Sequence, residues 1–182
     1  MIKYLLLLAV GVVGCGTDQS DPTPNHRAPS KPEVEASLQS VVDEFYSVCK
    51  QTNNQKCLDN WKRIRSVKSV SGDVLNSSEA DKKSPKVGVC YIWTADEKLY
   101  SAKIEIDQQY LNDPVVLKGL VYHELGHCAL GLEHTTPSWV DIHMMNPYLY
   151  DEYIYANYWD GLVEDEFQSS LGLVDGTEED SS

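Results

Sequence analysis

The first regular pattern of apolar positions lies between Glu33 and Lys50 and predicts an amphipathic helix. Apolar side chains recur there at three- and four-residue spacings, which place them on one face of a helix. These positions are Val34, Leu38, Val41, Val42, Phe45 and Val48. One face of this helix is therefore expected to pack on a hydrophobic core.

Strand patterns follow this helix. Apolar and polar positions alternate weakly over Trp61–Val70, which is expected to form a strand. The polar segment Ser71–Lys86 is expected to form a loop. Val87–Trp93 is rich in residues that favour strands, and Leu99–Ile106 alternates. Thr94–Glu97 has the residue types of a turn, so the last two strands are expected to form a β-hairpin.

A second helix is predicted to begin at Asp113. The Asp113 side chain suits the N-cap, and Pro114 suits the first helical position. The apolar positions that follow continue to Leu125, and Gly131 suits a left-handed exit from the helix. A closing helix is expected over Asp160–Leu173.

The amino-terminal residues 1–15 resemble the signal peptide of a bacterial lipoprotein. Lys3 precedes an apolar run that is too short to span a bilayer as a stable helix. The run ends in Val-Val-Gly-Cys, which is similar to a lipobox with Cys15 as the acylated residue. An ordinary secretory peptide that is cut nearby is the alternative.

The remaining chain divides into three parts. Residues 16–32 contain four prolines among Ser, Thr and Asp residues and predict a flexible tether. Residues 33–174 are long enough for a single domain with a hydrophobic core. Residues 175–182 are expected to form an acidic, disordered tail.

The charge of the chain is unevenly distributed. All 15 lysines and arginines lie at or before Lys118, whereas 13 of the 28 acidic residues follow it. Nucleic acid is therefore an unsuitable partner, because phosphate binding requires a basic patch. The acidic half of the chain favours solubility, or alternatively a negative rim that attracts cationic substrates.

Four cysteines remain once Cys15 is set aside, and an even number in an exported domain favours disulfides. Three pairings are possible. Cys49 with Cys57 is the natural local pair, which leaves Cys90 with Cys128. Free buried thiols are the alternative.

The second predicted helix carries His123, Glu124 and His127 in the pattern His-Glu-x-x-His. Residues four apart lie on the same face of a helix, so both imidazoles can bind one ion. Zn²⁺ prefers nitrogen ligands in tetrahedral geometry, and a catalytic site has three protein ligands and one open position. His134 can supply the third ligand, and Glu124 can act as the base without binding the metal.

Two alternatives to this interpretation are open. The two helical histidines can form hydrogen bonds only, without a metal. If a metal binds, the third ligand can instead be a downstream acid such as Asp141 or Glu152. The presence of Gly131, His134 and the downstream Met145-Asn146-Pro147 favours one zinc ion held by three histidines.

These residues together resemble the metzincin clan of zinc peptidases, which includes the matrixins. Gly131 lies three residues before His134, as in the clan, and Met145 is similar to the methionine of the clan's Met-turn, which packs beneath the metal. One departure is clear, because three residues rather than two separate His127 from Gly131. The same extra residue is typical of small secreted bacterial proteins identified as metallopeptidases.

The resemblance implies an α+β fold in which a small mixed sheet packs on the zinc-binding helix, with a Met-turn and a C-terminal helix after it. It also implies a zinc-dependent endopeptidase that acts on protein or peptide substrates. The lipobox-like sequence at Cys15 adds a lipid anchor at the bacterial cell envelope, and the protein is expected to be a monomer. Tyr148 is expected either to pack the lower domain or to contribute to the oxyanion or substrate pocket. A non-catalytic zinc-binding envelope lipoprotein is the alternative.

Overall fold

The computed structural model describes residues 31–78, 85–95, 98–135 and 142–171. The predicted signal peptide with Cys15, all but the last two residues of the tether, and the acidic tail lie outside these ranges. The described residues form a mixed sheet and several helices, which confirms the predicted α+β class. No helix in this part of the chain is long and apolar enough to cross a membrane.

The sheet has four strands in the spatial order β1, β2, β4, β3. Strands β1 (Glu33–Val34), β2 (Ile64–Val70) and β4 (Lys98–Asp107) are parallel to one another. Strand β3 (Gly88–Ala95) pairs antiparallel with β4 and lies at the edge of the sheet. The hairpin of β3 and β4 confirms the strand pairing expected from the sequence.

The first helix, α1, spans Gln39–Gln51 and begins later than its apolar pattern predicts. The expected first turn instead forms β1, because the backbone of Glu33 and Val34 pairs with β2. The Glu35 carboxylate then accepts hydrogen bonds from the backbone and hydroxyl of Ser69, which fixes the chain after the strand. Of the predicted apolar face, Leu38, Val42 and Phe45 are buried, and the remaining three valines are partly buried against the same core.

Two short helices are additional to the predicted elements, one between the first helix and the next strand and one in the predicted loop. Helix α2 (Gln55–Trp61) is capped by Asn54, whose side chain accepts from the Cys57 amide. It ends at Trp61, so the following strand starts three residues later than expected. Helix α3 (Gly72–Leu75) lies in the predicted loop and buries Leu75.

Helix α4 (Pro114–Leu125) lies at the centre of the domain and contacts α1, strands β3 and β4, and the last helix. As predicted, the Asp113 side chain caps it by accepting from the Val116 amide, and Pro114 is its first residue. Residues Val116 to Leu125 are almost all buried, including the polar His123 and Glu124. A five-residue π-helix, Gly126–Leu130, continues it.

The last helix, α5, spans Glu152–Ser170 and begins eight residues before its predicted start. Asp151 caps it by accepting from the Ile154 amide. Aromatic rings join it to the other helices: Phe45 of α1 packs 5.0 Å from Tyr122 of α4 and 5.2 Å from Phe167 of α5, measured between ring centroids. Helices α1, α4 and α5 therefore share one core.

Two disulfides complete the domain and confirm the local pairing. Cys49 at the end of α1 bonds Cys57 in α2, and Cys90 in β3 bonds Cys128 in the π-helix. The second bond links the edge strand to the helix that carries the histidines. Disulfides of this kind are typical of an oxidising compartment, extracellular or periplasmic.

Candidate metal centre

The π-helix accommodates the extra residue between His127 and Gly131. A turn of π-helix contains one residue more than the equivalent α-helical turn, and such turns are frequent at functional sites. The backbone then leaves the helix at Gly131, whose φ of 63° is in the left-handed region where glycine is favoured. The chain turns back there, as predicted, and brings His134 over the helix.

Three imidazoles meet at this turn. The Nε2 atom of His134 lies 3.1 Å from Nε2 of His123 and 3.1 Å from Nε2 of His127. Candidate ligand atoms of the three residues all lie within 4.8 Å of one another. His123 and His127 are buried, and His134 is half-buried.

Backbone carbonyls hold the opposite nitrogen of both helical histidines. The Nδ1 atom of His123 lies 2.8 Å from the Met144 carbonyl oxygen, and Nδ1 of His127 lies 2.6 Å from the Leu132 carbonyl oxygen. A carbonyl only accepts, so each Nδ1 carries a proton and donates it. The Nε2 lone pairs of these two neutral rings therefore point at the centre, an arrangement typical of metal-binding histidines.

Burial favours the neutral form of all three rings. It lowers the pKa of His123 to about 3 and of His134 to about 4, with a further contribution in each case from the charge that His127 would carry. Burial also lowers the pKa of His127. At neutral pH the three rings are therefore uncharged and have the protonation state that metal binding requires.

The geometry fits one metal ion. Tetrahedral zinc with nitrogen ligands at about 2.0–2.1 Å separates those nitrogens by about 3.3 Å, close to the observed 3.1 Å. Without a cation, His134 could donate at most one Nε2 proton, and the Nε2 lone pairs of His123 and His127 would compete for it. A cation satisfies all three nitrogens, so the residues present can hold a metal ion.

Glu124 lies beside this trio in sequence but faces the edge strand. Its carboxylate accepts from the backbone N–H of Cys90, and its Oε2 atom has no hydrogen-bond partner among the described residues. The side chain is 1% exposed. Burial raises its pKa to about 8, against the opposing effect of the Cys90 amide. A neighbouring cation would favour the ionised form.

Met145 lies in a turn against the metal-binding helix. The turn is closed by the Asn146 amide, which donates to the His143 carbonyl, and the Thr135 amide donates to the Met145 carbonyl. A Cβ atom added to Gly126 would lie 2.6 Å from the Met145 sulfur, so the thioether packs directly on the residue before His127. The turn is thus joined to both sides of the metal centre.

The other candidates predicted from the sequence are not part of the histidine trio. Tyr148 is half-buried, and its amide donates to the Asn146 side chain. Glu152 is exposed in the first turn of α5, and Asp141 lies outside the described residues. Among the described residues, the group able to hold a metal is the histidine trio.

Three features of the site were not predicted from the sequence. Gly88 provides space for Glu124, the Met144 and Leu132 carbonyls orient the histidine rings, and Glu166 is buried beneath Gly126. The carbonyls follow from the fold and have no residue-type pattern. Glu166 was detectable in principle, since it would occupy the buried side of the helix over Asp160–Leu173 between Leu162 and Phe167.

Comparison with known proteins identifies no family for this chain. No protein-family model, no curated protein and no solved structure matches the chain. What defines the class of site is therefore the buried trio of His123, His127 and His134, which can bind a metal ion.

Proposed function

We propose that the protein is a zinc-dependent endopeptidase. The observation that supports this proposal most directly is the convergence of three imidazoles beside Glu124, with Nε2 of His134 3.1 Å from Nε2 of both His123 and His127. Three histidines leave one position of a tetrahedral ion for water or substrate, as catalytic zinc requires. The resemblance of the motif to the metzincins points to peptide bonds as the substrate.

Bound zinc would lower the pKa of a water molecule to about 7 and polarise the scissile carbonyl. The chain's own contribution is the base: Glu124 takes the proton from the attacking water and passes it to the leaving amine. Its free Oε2 is the atom available for this proton, since the carboxylate is otherwise held by the Cys90 amide. The Met145 turn and the two carbonyls keep the histidine rings in place.

We place this activity at the bacterial cell envelope, with a lipid on Cys15 as the anchor. The two disulfides favour an oxidising compartment on the outer side of a membrane. The Val-Val-Gly-Cys sequence and the tether that follows support a domain held at a distance from the bilayer. The substrate is then a protein or peptide within reach of the membrane, and one chain supplies all three ligands.

Replacement of Glu124 by Gln tests the proposal. The amide retains the volume of the side chain but does not accept the proton, so we expect unchanged zinc content and at least a 100-fold loss of turnover. General acid–base groups contribute about 10²- to 10⁴-fold. The experiment is a digest of a peptide library by the wild-type domain, by Glu124→Gln, and by chelated wild type.

The outcomes separate an enzyme from a binding protein. Cleavage that survives both the substitution and chelation means that the activity belongs to a contaminant or to another site. If the wild type retains zinc yet cleaves no peptide in the library, the proposal fails and a non-catalytic zinc-binding lipoprotein takes its place.

A further inference from the structure

Helix α2 lies against the C-terminal end of the π-helix and contacts its carbonyls. The Asn60 side-chain amide donates to the Ala129 carbonyl at 3.0 Å. The Lys56 amine approaches the Gly131 carbonyl at 3.5 Å, and its last methylene would lie 3.0 Å from a Cβ atom at Gly131. Helix α2 thus supplies two donors to the end of the metal-binding helix.

These donors meet a specific need of that helix end. The last carbonyls of any helix have no partner within the helix, and Ala129 is fully buried, so water does not reach its carbonyl easily. The Gly126 carbonyl already accepts the Gly131 and Leu132 amides. Asn60 therefore provides a hydrogen bond that holds the backbone in the π-helical register.

The register matters because it sets the distance between two metal ligands. His127 lies inside the π-helix and His134 lies beyond its end, and six residues separate them. If the turn relaxed to an α-helix, the backbone after Ala129 would rotate, and the His134 ring would move away from the other two. A donor at Ala129 opposes that relaxation.

Helix α2 is itself firmly held, so it can act as a fixed support. The Cys49–Cys57 disulfide ties it to α1. The buried Asn54 side chain caps its first turn and donates to the Ser170 hydroxyl at the end of α5. Asn60 thus lies on a helix that is attached to both α1 and α5.

We infer that Asn60 is a positioning residue of the metal centre, which acts through the Ala129 carbonyl to keep His127 and His134 in register. The inference rests on the proposed zinc site but not on hydrolysis. It assigns to α2 a function beyond packing, and it relates the extra residue in the motif to a compensating donor elsewhere in the chain.

The experiment measures zinc affinity in the full-length protein with three variants. Asn60→Ala removes the donor, and Asn60→Asp retains its shape while placing an acceptor against a carbonyl. Asn157→Ala is the matched control, because the exposed Asn157 amide also donates to a backbone carbonyl, that of Tyr153, but within α5. We expect both Asn60 variants to raise the zinc Kd about tenfold, and Asn157→Ala to leave it within twofold.

Cobalt spectra of the same proteins give a second measurement. Loss of register should change the visible absorption of Co²⁺ bound to the Asn60 variants and leave that of Asn157→Ala unchanged. Asn60 variants that melt at a lower temperature yet retain the wild-type zinc Kd and cobalt spectrum would overturn the inference, since Asn60 would then stabilise the fold alone.

Hydrogen exchange of the unaltered protein covers the case in which the variants do not fold. Zinc should slow exchange in residues 126–134 and in α2 together, whereas protection confined to 126–134 contradicts the inference. The wild-type titration is performed first. A wild type that binds zinc but hydrolyses nothing defeats the peptidase proposal only, whereas a wild type that binds no zinc defeats the metal centre and this inference together.

Discussion

At the scale of single residues, Gly88 shows how closely the edge strand approaches the predicted base. A Cβ atom at this position would lie 2.6 Å from Oε1 of Glu124 and 2.9 Å from its Cγ. Both are shorter than van der Waals contact, so a methyl group here requires the Glu124 side chain to move. The strand backbone at Gly88 pairs normally with Ile106, and space rather than backbone conformation demands glycine.

Gly88→Ala should therefore retain zinc and lose hydrolysis. We expect at least a tenfold fall in turnover, together with a loss of about 1–3 kcal/mol in the free energy of unfolding from overpacking. Gly161→Ala is the control, because a Cβ atom there meets nothing within 4 Å, and alanine in a helix should stabilise by about 0.5–1 kcal/mol. Wild-type turnover in Gly88→Ala would contradict the assigned position of the base.

Glu166 is a second buried carboxyl, on the opposite side of the helix. It is 1% exposed, and neither of its oxygens has a hydrogen-bond partner among the described residues. Burial raises its pKa well above the ordinary value, and the charge of Asp165 adds to this. The folded state therefore holds a proton that the unfolded chain releases above about pH 4.3.

This difference predicts a pH-dependent stability. The folded state binds more protons than the unfolded chain. The contribution of Glu166 to the free energy of unfolding is therefore complete below about pH 4.3, and it is lost progressively as the pH rises toward the folded pKa. Glu166→Gln should match wild type near pH 4 and exceed its free energy of unfolding at pH 7, where the unfolded wild-type chain gains free energy by ionising Glu166. Urea titrations at both pH values measure it.

The exposed Glu164 on the same helix provides the comparison for this measurement. Glu164→Gln removes an equal charge without altering a buried group, so its stability should follow wild type at both pH values. Equal stabilisation by the two variants at pH 7 would show that net charge, rather than burial of Glu166, is responsible.

At the scale of elements, the chain turns back after the π-helix, and this turn brings His134 to the other two histidines as the third candidate ligand. His134→Ala should raise the zinc Kd by more than the roughly 10- to 100-fold that loss of an outer hydrogen-bond partner costs. Glu152→Ala should leave it unchanged, because Glu152 is exposed at the start of α5. Competition with a chelating dye gives both values, and equal retention of zinc in the two variants would refute the three-histidine site.

Elements with local causes were predictable from the sequence. The cap at Asp113, the proline at position 114, the hairpin and the exit at Gly131 each depend on residues within a few positions. The histidine trio followed for the same reason, since helical spacing places two of its members on one face. Once Cys49 is paired with its local neighbour Cys57, Cys90 and Cys128 are the two cysteines that remain.

Elements with distant causes were not predictable in the same way. Strand β1 exists because Glu33 and Val34 pair with a strand more than 30 residues away, and this pairing outweighs their helical pattern. The start of α5 depends on the Asp151 cap, and α2 on the Asn54 cap and a disulfide. The π-helix accommodates the additional residue between His127 and Gly131, and no residue type in this segment marks that backbone conformation.

At the scale of the whole molecule, the proposed lipid on Cys15 would determine where the domain works. Acylation of Cys15 would embed hydrocarbon chains in a membrane, and several chains anchor stably where one does not. The tether would then set how far the metal centre reaches from the surface.

Mass spectrometry of the native protein tests this anchor. We expect a mature N-terminus at an acylated Cys15, and we expect Cys15→Ser to remain unprocessed by the lipoprotein pathway. An unmodified N-terminus at another residue would exclude acylation and indicate an ordinary secretory peptide.

The disulfide between Cys90 and Cys128 also restricts the unfolded chain. It closes a loop of 38 residues that contains β4 and α4, with His123, Glu124 and His127. By chain-entropy arguments, restricting such a loop in the denatured ensemble stabilises the native state by about 4 kcal/mol. This stabilisation does not require a bound ion, so oxidation would restrict the helix that carries His123 and His127 whether or not a metal is bound.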